Sequence, residues 1–207
     1  MPHYPVNLDL RGRKCIVVGG GNVAERKVRV LLDFDANVIV VAPQLTIGLK
    51  ELADAGKIEH INEPFRPEFL QEAFLAIAAT GDRETNSAVS SKAQELGVLV
   101  NVVDDPELCT FLVPAIVRRG NVVISISTSG KSPILAKQIK EKVESCIGPE
   151  YQYLADMLGA LRDEIKAKYE DSAERKLAYQ RILDSEVLDL LAQGKHEEAF
   201  KRARKCI

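Results

Sequence analysis

The stretch that decides the fold is Lys14-Cys15-Ile16-Val17-Val18-Gly19-Gly20-Gly21-Asn22-Val23-Ala24. It joins an apolar run typical of a buried strand to a glycine turn and the start of a helix. Gly19, Gly21 and Ala24 fit the dinucleotide-binding fingerprint in its alanine-ended form. The alternative is a tight β–α turn in a doubly wound domain that binds no ligand.

The chemistry of phosphate binding explains the spacing of this motif. Gly19 permits the tight turn, Gly21 lets the backbone approach a pyrophosphate, and Ala24 lets the helix pack closely on the strand. The helix that begins at Asn22 and Val23 offers free N–H groups and its positive dipole end to the phosphates. We therefore predict that these residues bind a nucleotide cofactor.

The first half of the chain alternates between strand and helix patterns. Apolar runs predict strands at 14–18, 37–42, 58–61, 75–80 and 98–103, and amphipathic runs predict helices at 23–33, 49–55 and 85–96. This order predicts an α/β protein whose first domain is a Rossmann-type parallel sheet with helices on both faces.

The pattern changes after residue 113. A hairpin or a short connection is expected around 118–121, followed by a strand at 122–128 and a helix that starts at Ser132-Pro133. The rest is helical, with an apolar stripe from Leu154 to Ile165 and a second helix over 177–191. We predict three parts: a nucleotide-binding domain (1–113), a small α/β dimerisation and substrate segment (114–148) and a helical C-terminal domain (149–207).

Composition excludes several classes of protein. The 30 acidic residues balance 28 basic ones, which argues against a dedicated nucleic-acid binder. No apolar run is long enough to span a bilayer, and Met1–Pro5 lacks a signal-peptide pattern, so we expect no membrane partner and a cytoplasmic location. The four cysteines lie far apart and the three histidines show no ligand spacing, so no metal site is predicted.

Polar residues at the predicted strand ends are candidates for chemistry, because ligands of such sheets bind beyond the carboxyl ends of the strands. Asp104 ends a strand and is a candidate general acid or base, whose pKa burial beside a cofactor would tune. Thr80 and Asn86 are candidates for hydrogen bonds to a ribose or an amide, or else for helix capping. Ala42 and Pro43 close the second strand without an acidic or basic residue, so the sequence leaves NAD and NADP undecided.

The segment Ser127-Thr128-Ser129-Gly130-Lys131-Ser132-Pro133 contains Gly-Lys-Ser but is not a P-loop, because Ser125 stands where that motif needs its first glycine. A helix start with several hydroxyls and a lysine predicts an anion site for phosphate or carboxylate. The alternative is a capped helix that binds no ligand.

Taken together, the chain resembles the precorrin-2 dehydrogenase family, which includes the amino-terminal part of siroheme synthase. The matching stretches occur in family order over roughly residues 5–145. They are Pro5–Leu10, Val17–Lys27, Ala76–Thr80, Asn101–Asp104 and Ser127–Pro133.

The resemblance implies an enzyme that oxidises precorrin-2 to sirohydrochlorin and passes hydride to NAD, on the way to siroheme or cobalamin. It also implies a homodimer, with the helical part and the small α/β segment at the interface. Asp104 matches the family's catalytic aspartate, and Thr128 falls where a relative carries a serine that can be phosphorylated. The carboxylates of the tetrapyrrole are expected to bind basic residues and the helix start at Ser132; the candidates are Arg118, Arg119, Lys131 and Lys137.

Three other functions remain open at this point. One is a bifunctional enzyme that also inserts ferrous or cobalt ion into the product. A second is a non-catalytic NAD-sensing regulatory module, which explains Gly19–Ala24 but not Asp104 together with Ser127–Pro133. A third is a reductase of another small molecule.

Overall fold

The computed structural model describes residues 3–207. Met1 and Pro2, which begin the predicted first domain, lie outside the described residues. The chain divides into two compact units between Val113 and Pro114. The predicted boundary at 148, and with it the three-part division, stays a prediction.

The first unit contains a five-stranded parallel sheet with strand order β3-β2-β1-β4-β5. The strands are β1 (Lys14–Val18), β2 (Asn37–Val41), β3 (Glu59–Ile61), β4 (Leu75–Ala78) and β5 (Leu99–Val102). The helices are α1 (Asn22–Leu32), α2 (Ile47–Asp54) and α3 (Arg83–Glu95). The order reverses between β1 and β4, which confirms the predicted Rossmann-type α/β fold.

Both faces of this sheet are buried, which explains why its strands are almost continuously apolar. Alternate residues of β1 point to opposite faces: Cys15 and Val17 pack with α1, whereas Ile16 and Val18 pack on the side of α3. The buried stripe of α1 consists of Ala24, Val28 and Leu31, at helical spacing. These contacts fix α1 directly behind the glycine turn.

The second unit begins with an antiparallel hairpin and continues as helices. The hairpin pairs β6 (Ala115–Arg119) with β7 (Val122–Ile126). Of the hairpin and the short connection expected around 118–121, the structure therefore has the hairpin. The helices are α4 (Pro133–Cys146), α5 (Glu150–Ala160), α6 (Arg162–Lys168), α7 (Ser172–Leu183), α8 (Val187–Ala192) and α9 (His196–Lys205). Within residues 3–207, no helix combines the length and apolar character needed to cross a bilayer.

Two of the predicted helices are wrong in their extent. The helix predicted over 177–191 is divided into α7 and α8, because Ser185 donates from its Oγ to the Ile182 carbonyl (2.6 Å) and accepts from the Val187 N–H (3.4 Å). Such local side-chain bonds compete with helix continuation. The stripe Leu154–Ile165 is likewise shared between α5 and α6, which meet at Leu161.

Candidate functional site

A cleft of about 660 Å³ lies at the carboxyl ends of the first unit's central strands. Five of the predicted cofactor residues line it: Gly19, Gly21, Ala42, Pro43 and Thr80. Sequence reasoning missed other wall residues, which lie in the loops that follow β2, β3 and β4 and in the first turn of α3. These are Gln44, Leu45, Thr46, Pro64, Phe65, Gly81 and Thr85. Gly81 directly follows a predicted strand, and this position was the signal that marked it.

The three glycines of this turn have different surroundings. Gly19 has a φ of +124°, and a Cβ on it would lie 2.4 Å from the Ala79 carbonyl oxygen. A Cβ on Gly20 would lie 1.9 Å from the Gln44 carbonyl oxygen. The loop that carries Gln44 can therefore lie this close to position 20 only when that residue is glycine. A Cβ on Gly21 would meet no atom within 4 Å. The first two positions serve the packing of the protein, and the third faces open space suited to a ligand.

The N-terminus of α1 lies at the edge of this cleft. Gly21 is the N-cap, and no side chain caps the helix there. Asn22, Val23 and Ala24 form its first turn; Ala24 is fully buried, and none of the three side chains lines the cleft. Their predicted contribution therefore rests on backbone N–H groups, which favour an anion. The turn and helix fit the pyrophosphate of a dinucleotide.

A hydrogen-bonded network fixes the loop after β2 against the glycine turn. The Thr46 N–H donates to the Gly20 carbonyl (2.9 Å), and the Thr46 hydroxyl donates to Glu25 Oε2 (2.5 Å). Arg29 binds the other oxygen of Glu25 at 2.7 Å. The hydroxyl of Thr46, and then Arg29, lower the pKa of Glu25 below its ordinary value. Glu25 and Thr46 therefore hold one wall of the cleft in place.

Asn86 fixes the opposite wall. Its Oδ1 accepts from the Thr80 hydroxyl (2.7 Å) and the Thr80 N–H (3.3 Å), and its Nδ2 donates to the Thr80 carbonyl (3.1 Å). Asn86 is buried and is not part of the cleft lining, whereas Thr80 is. Direct cofactor contact by Asn86 stays a prediction, but its visible role is to hold Thr80. The cap of α3 is Asp82, which accepts from the Glu84 and Thr85 N–H groups.

Asp104 lies in the turn that follows β5 and is exposed. The burial expected around this carboxylate is therefore not found, because the turn carries it outward. Its φ of +62° is in the left-handed region, which is uncommon for a residue other than glycine and is often found at functional sites. The neighbouring Asp105 pairs with Arg83 at 3.7 Å. Asp104 thus remains the better candidate for proton transfer.

The predicted anion site of the second unit is held together by its own hydroxyl groups. Thr128 Oγ1 accepts from the Ser132 N–H (3.0 Å) and donates to the Ser132 carbonyl (3.1 Å). Ser132 Oγ accepts from the Leu135 N–H (3.2 Å), so the expected cap is confirmed. Lys131 is exposed beside this turn. Thr128 and Ser132 therefore shape the helix start, and Lys131 is the group that faces solvent.

The basic residues of this unit have different surroundings. Arg119 donates to the carbonyls of Ile147 (3.0 Å) and Glu144 (3.5 Å), so it caps the C-terminal end of α4. Its expected role in substrate binding would use the same guanidinium group that caps this helix. Arg118 is exposed and donates from Nε to the Gly120 carbonyl (3.1 Å). Among the described residues, no group of three or more His, Cys, Asp or Glu side chains is arranged to hold a metal ion.

Three family models match consecutive parts of the chain. The model described as NAD(P)-binding matches residues 6–115, the sirohaem biosynthesis protein central model matches 119–145, and the sirohaem synthase dimerisation region matches 150–205. The solved structure of SirC, precorrin-2 dehydrogenase, is 30% identical, and the match covers 98% of this chain and 100% of SirC with a TM-score of 0.80. The chain belongs to the precorrin-2 dehydrogenase and siroheme synthase amino-terminal family.

Curated siroheme synthases are also similar to this member of the family. That of Nitrosomonas europaea is 38% identical over 200 residues, which are 96% of this chain and 42% of the relative. That of Chromobacterium violaceum is 39% identical over 203 residues, which are 98% of this chain and 43% of the relative. The chain therefore spans less than half the length of these relatives.

Proposed function

We propose that the chain is an NAD-dependent precorrin-2 dehydrogenase that oxidises precorrin-2 to sirohydrochlorin in siroheme or cobalamin synthesis. The observation that carries this proposal is the cleft lined by Gly19–Gly21 at the carboxyl ends of the strands, in a chain similar to SirC over its whole length. SirC is named a precorrin-2 dehydrogenase, and the curated relatives are named siroheme synthases.

The reaction removes two hydrogen atoms from the substrate, one as hydride and one as a proton. When bound, the nicotinamide supplies the hydride acceptor. Asp104 is the proposed proton acceptor, because it is an exposed carboxylate at the carboxyl end of β5, beside β4 in the same sheet. Thr80 and the backbone of the glycine turn would orient the dinucleotide.

NAD is the proposed cofactor rather than NADP. The residues described as lining the cleft include neither lysine nor arginine, and the loop after β2 presents Pro43, Gln44 and Leu45 instead. A 2′-phosphate is ordinarily bound by a basic residue at this end of the second strand. Arg29, which is close to this loop through Thr46 and Glu25, is already paired with Glu25.

The acidic tetrapyrrole needs basic partners, and the second unit offers them. We propose that Arg118 and Lys131 bind its carboxylates, while Thr128 and Ser132 hold the turn that presents Lys131. Because a carboxylate is bound by a cation, Thr128 and Ser132 contribute indirectly, by holding the turn that carries Lys131.

A homodimer is the proposed assembly, and the cytoplasm is the proposed location. Residues 150–205 match a dimerisation region, and α4 exposes Ile134 (74%), Leu135 (47%) and Ile139 (37%) on its surface. Exposed apolar patches of this kind mark interaction surfaces. Sedimentation of Ile134→Glu beside the unaltered chain tests whether α4 takes part in the dimer.

The test of the function is anaerobic turnover of precorrin-2 with NAD, followed by the absorbance of sirohydrochlorin, in the unaltered chain and in Asp104→Asn. Asparagine tolerates the left-handed backbone at position 104, so it removes the charge with little strain. We expect turnover with NAD that Asp104→Asn abolishes while NAD still binds. Turnover unaffected by the substitution would move the proton chemistry to another residue, and no turnover with NAD or NADP would contradict the dehydrogenase. Siroheme formed after addition of ferrous ion would reveal a second, chelatase activity.

A further inference from the structure

Asn101 is a polar residue in a strand that is otherwise apolar. It belongs to β5, the last strand in the order of the sheet, and it is buried like its neighbours Val100 and Val102. Buried amide groups are ordinarily hydrogen-bonded, because an unpaired one is costly. The contacts of the Asn101 side chain therefore show what this position is used for.

Asn101 binds a short segment of chain that runs along the outer edge of β5. Its Nδ2 donates to the Phe111 carbonyl (3.1 Å) and to Cys109 Sγ (3.5 Å). Thr110, between these two residues, donates from its N–H to the Val100 carbonyl and accepts from the Val100 N–H at its hydroxyl, both at 2.8 Å. The segment thus covers backbone groups that an edge strand would otherwise leave unpaired.

The Cys109 thiol reaches from this segment to the turn that carries Asp104. Its Sγ accepts from the Val102 N–H (3.1 Å) and lies 3.3 Å from the carbonyl oxygens of both Val102 and Asp105, so its single hydrogen donates to one or the other. Burial raises the pKa of the thiol, which therefore keeps this hydrogen at neutral pH. The thiol contacts the backbone immediately before Val103 and immediately after Asp104.

The backbone of Asp104 needs such support. The Asp105 N–H donates to the Val102 carbonyl (3.4 Å), which closes a four-residue turn with Asp104 in the third position. The φ of Asp104 is +62°, and a positive φ at this position of a turn ordinarily calls for glycine or asparagine. Another residue keeps this conformation when its surroundings hold it there. The Cys109 thiol holds both ends of this turn, and Asn101 binds the thiol.

We propose that Cys109, bound by Asn101, is a positioning residue that keeps the Asp104 turn in its left-handed conformation and so places the carboxylate for proton transfer. The inference rests on the proposed function, in which Asp104 accepts the proton. Neither Cys109 nor Asn101 needs to touch the substrate or the cofactor, because both act on the backbone that carries Asp104.

The conformation of the turn is tested by NMR without any turnover. The one-bond coupling between Cα and Hα of residue 104 distinguishes a positive from a negative φ. We expect Cys109→Val, whose side chain neither donates nor accepts, to lose the coupling of a positive φ, and Cys109→Ser, which does both, to retain it. Cys146→Val, which alters an exposed cysteine of the second unit, is the matched control. The same coupling in Cys109→Val as in the unaltered chain would overturn the proposal.

The positioning role is tested by kinetics. Cys109→Val is expected to lower kcat about tenfold without changing the KM for NAD, and Cys109→Ser to restore most of it. Asn101→Leu, which removes the amide that binds the thiol, should lower kcat in the same way and replaces Cys109→Val if that variant does not fold. Full kcat in the folded variant, or a loss in Cys109→Val that serine does not reverse, would overturn the proposal.

Failure of this proposal and failure of the proposed function give different results. Absence of turnover in the unaltered chain would contradict the proposed function. The coupling of residue 104 in Cys109→Val and Cys109→Ser would still decide whether the thiol holds the turn.

Discussion

Two helix starts in this molecule have similar sequence signals and opposite structures. Both α1 and α4 follow loops rich in small residues, and both are predicted anion sites. The N-terminus of α1 has Gly21 as its cap and no side chain that binds its N–H groups. The start of α4 is occupied by its own hydroxyls, from Ser132 to the Leu135 N–H and from Thr128 to Ser132. A glycine cap leaves backbone donors for a ligand, whereas a serine cap uses them within the protein.

The largest effect that tests this difference is expected in the glycine turn. Gly20→Ala places a Cβ 1.9 Å from the Gln44 carbonyl oxygen, so the loop must shift. We expect the free energy of unfolding to fall by about 3 kcal/mol and NAD binding to be lost. Thermal unfolding and calorimetric titration with NAD measure both effects.

Gly21→Ala is the matched control for that substitution. Its Cβ meets no protein atom, so stability should change by less than about 1 kcal/mol, the cost of a poorer cap. The same Cβ enters the space proposed for the pyrophosphate, and NAD affinity should fall at least about tenfold, or about 1.4 kcal/mol. NAD affinity equal to that of the unaltered chain in Gly21→Ala would place the phosphates elsewhere.

A smaller loss of stability is expected when Asn86, which holds Thr80 at the other wall of the cleft, is replaced. Asn86→Ala removes three hydrogen bonds with Thr80 from a buried position, and we expect about 1–3 kcal/mol of destabilisation together with weaker NAD binding. Asn121→Ala is the control, because Asn121 makes one exposed bond to Asp156 and belongs to the other unit. Equal effects of the two substitutions on NAD affinity would mean that Asn86 does not shape the cleft.

The hydroxyls at the start of α4 should matter for stability and not for the cofactor. Ser132→Ala should lower the free energy of unfolding by about 1 kcal/mol, as loss of a cap does, and Thr128→Val by a similar amount. Neither should change NAD affinity. Chemical denaturation and NAD titration of the two variants check this, and a loss of NAD affinity in either would contradict the contrast between the two helix starts.

The smallest effect is expected in the dependence of stability on pH. The Thr46 hydroxyl, followed by Arg29, lowers the pKa of Glu25 from its ordinary 4.5, so this contribution to stability is present above pH 4.5 and lost as the pH falls below it. Thr46→Val removes the larger cause, so its free energy of unfolding should decline less on acidification. An equally steep decline in Thr46→Val would show that the bond to Glu25 contributes nothing.

Sequence reasoning located the sheet and the glycine turn because both depend on local patterns. The apolar run of β1 and the spacing of Gly19, Gly21 and Ala24 are fixed by packing and by backbone shape. The break in the helix at Ser185 was missed because it depends on the hydrogen bonds of one side chain.

The partners of polar side chains were harder to predict. Asn86, a candidate for a ligand bond or for helix capping, is found holding Thr80, and Arg119, a candidate for the substrate, caps the C-terminal end of α4. Phe65 lines the cleft, and the loop that contains it has no sequence motif. Each of these outcomes depends on contacts that only the folded chain defines.

The central claim is that the backbone at the start of α1 binds the cofactor's pyrophosphate. The most direct measurement is an NMR titration of ¹⁵N-labelled protein with NAD, in which amide shifts are followed residue by residue. We predict the largest shifts at the amides of Gly21–Ala24 and only small ones at Ser132–Leu135. Unmoved amides at the start of α1, or larger shifts at the start of α4, would contradict the account.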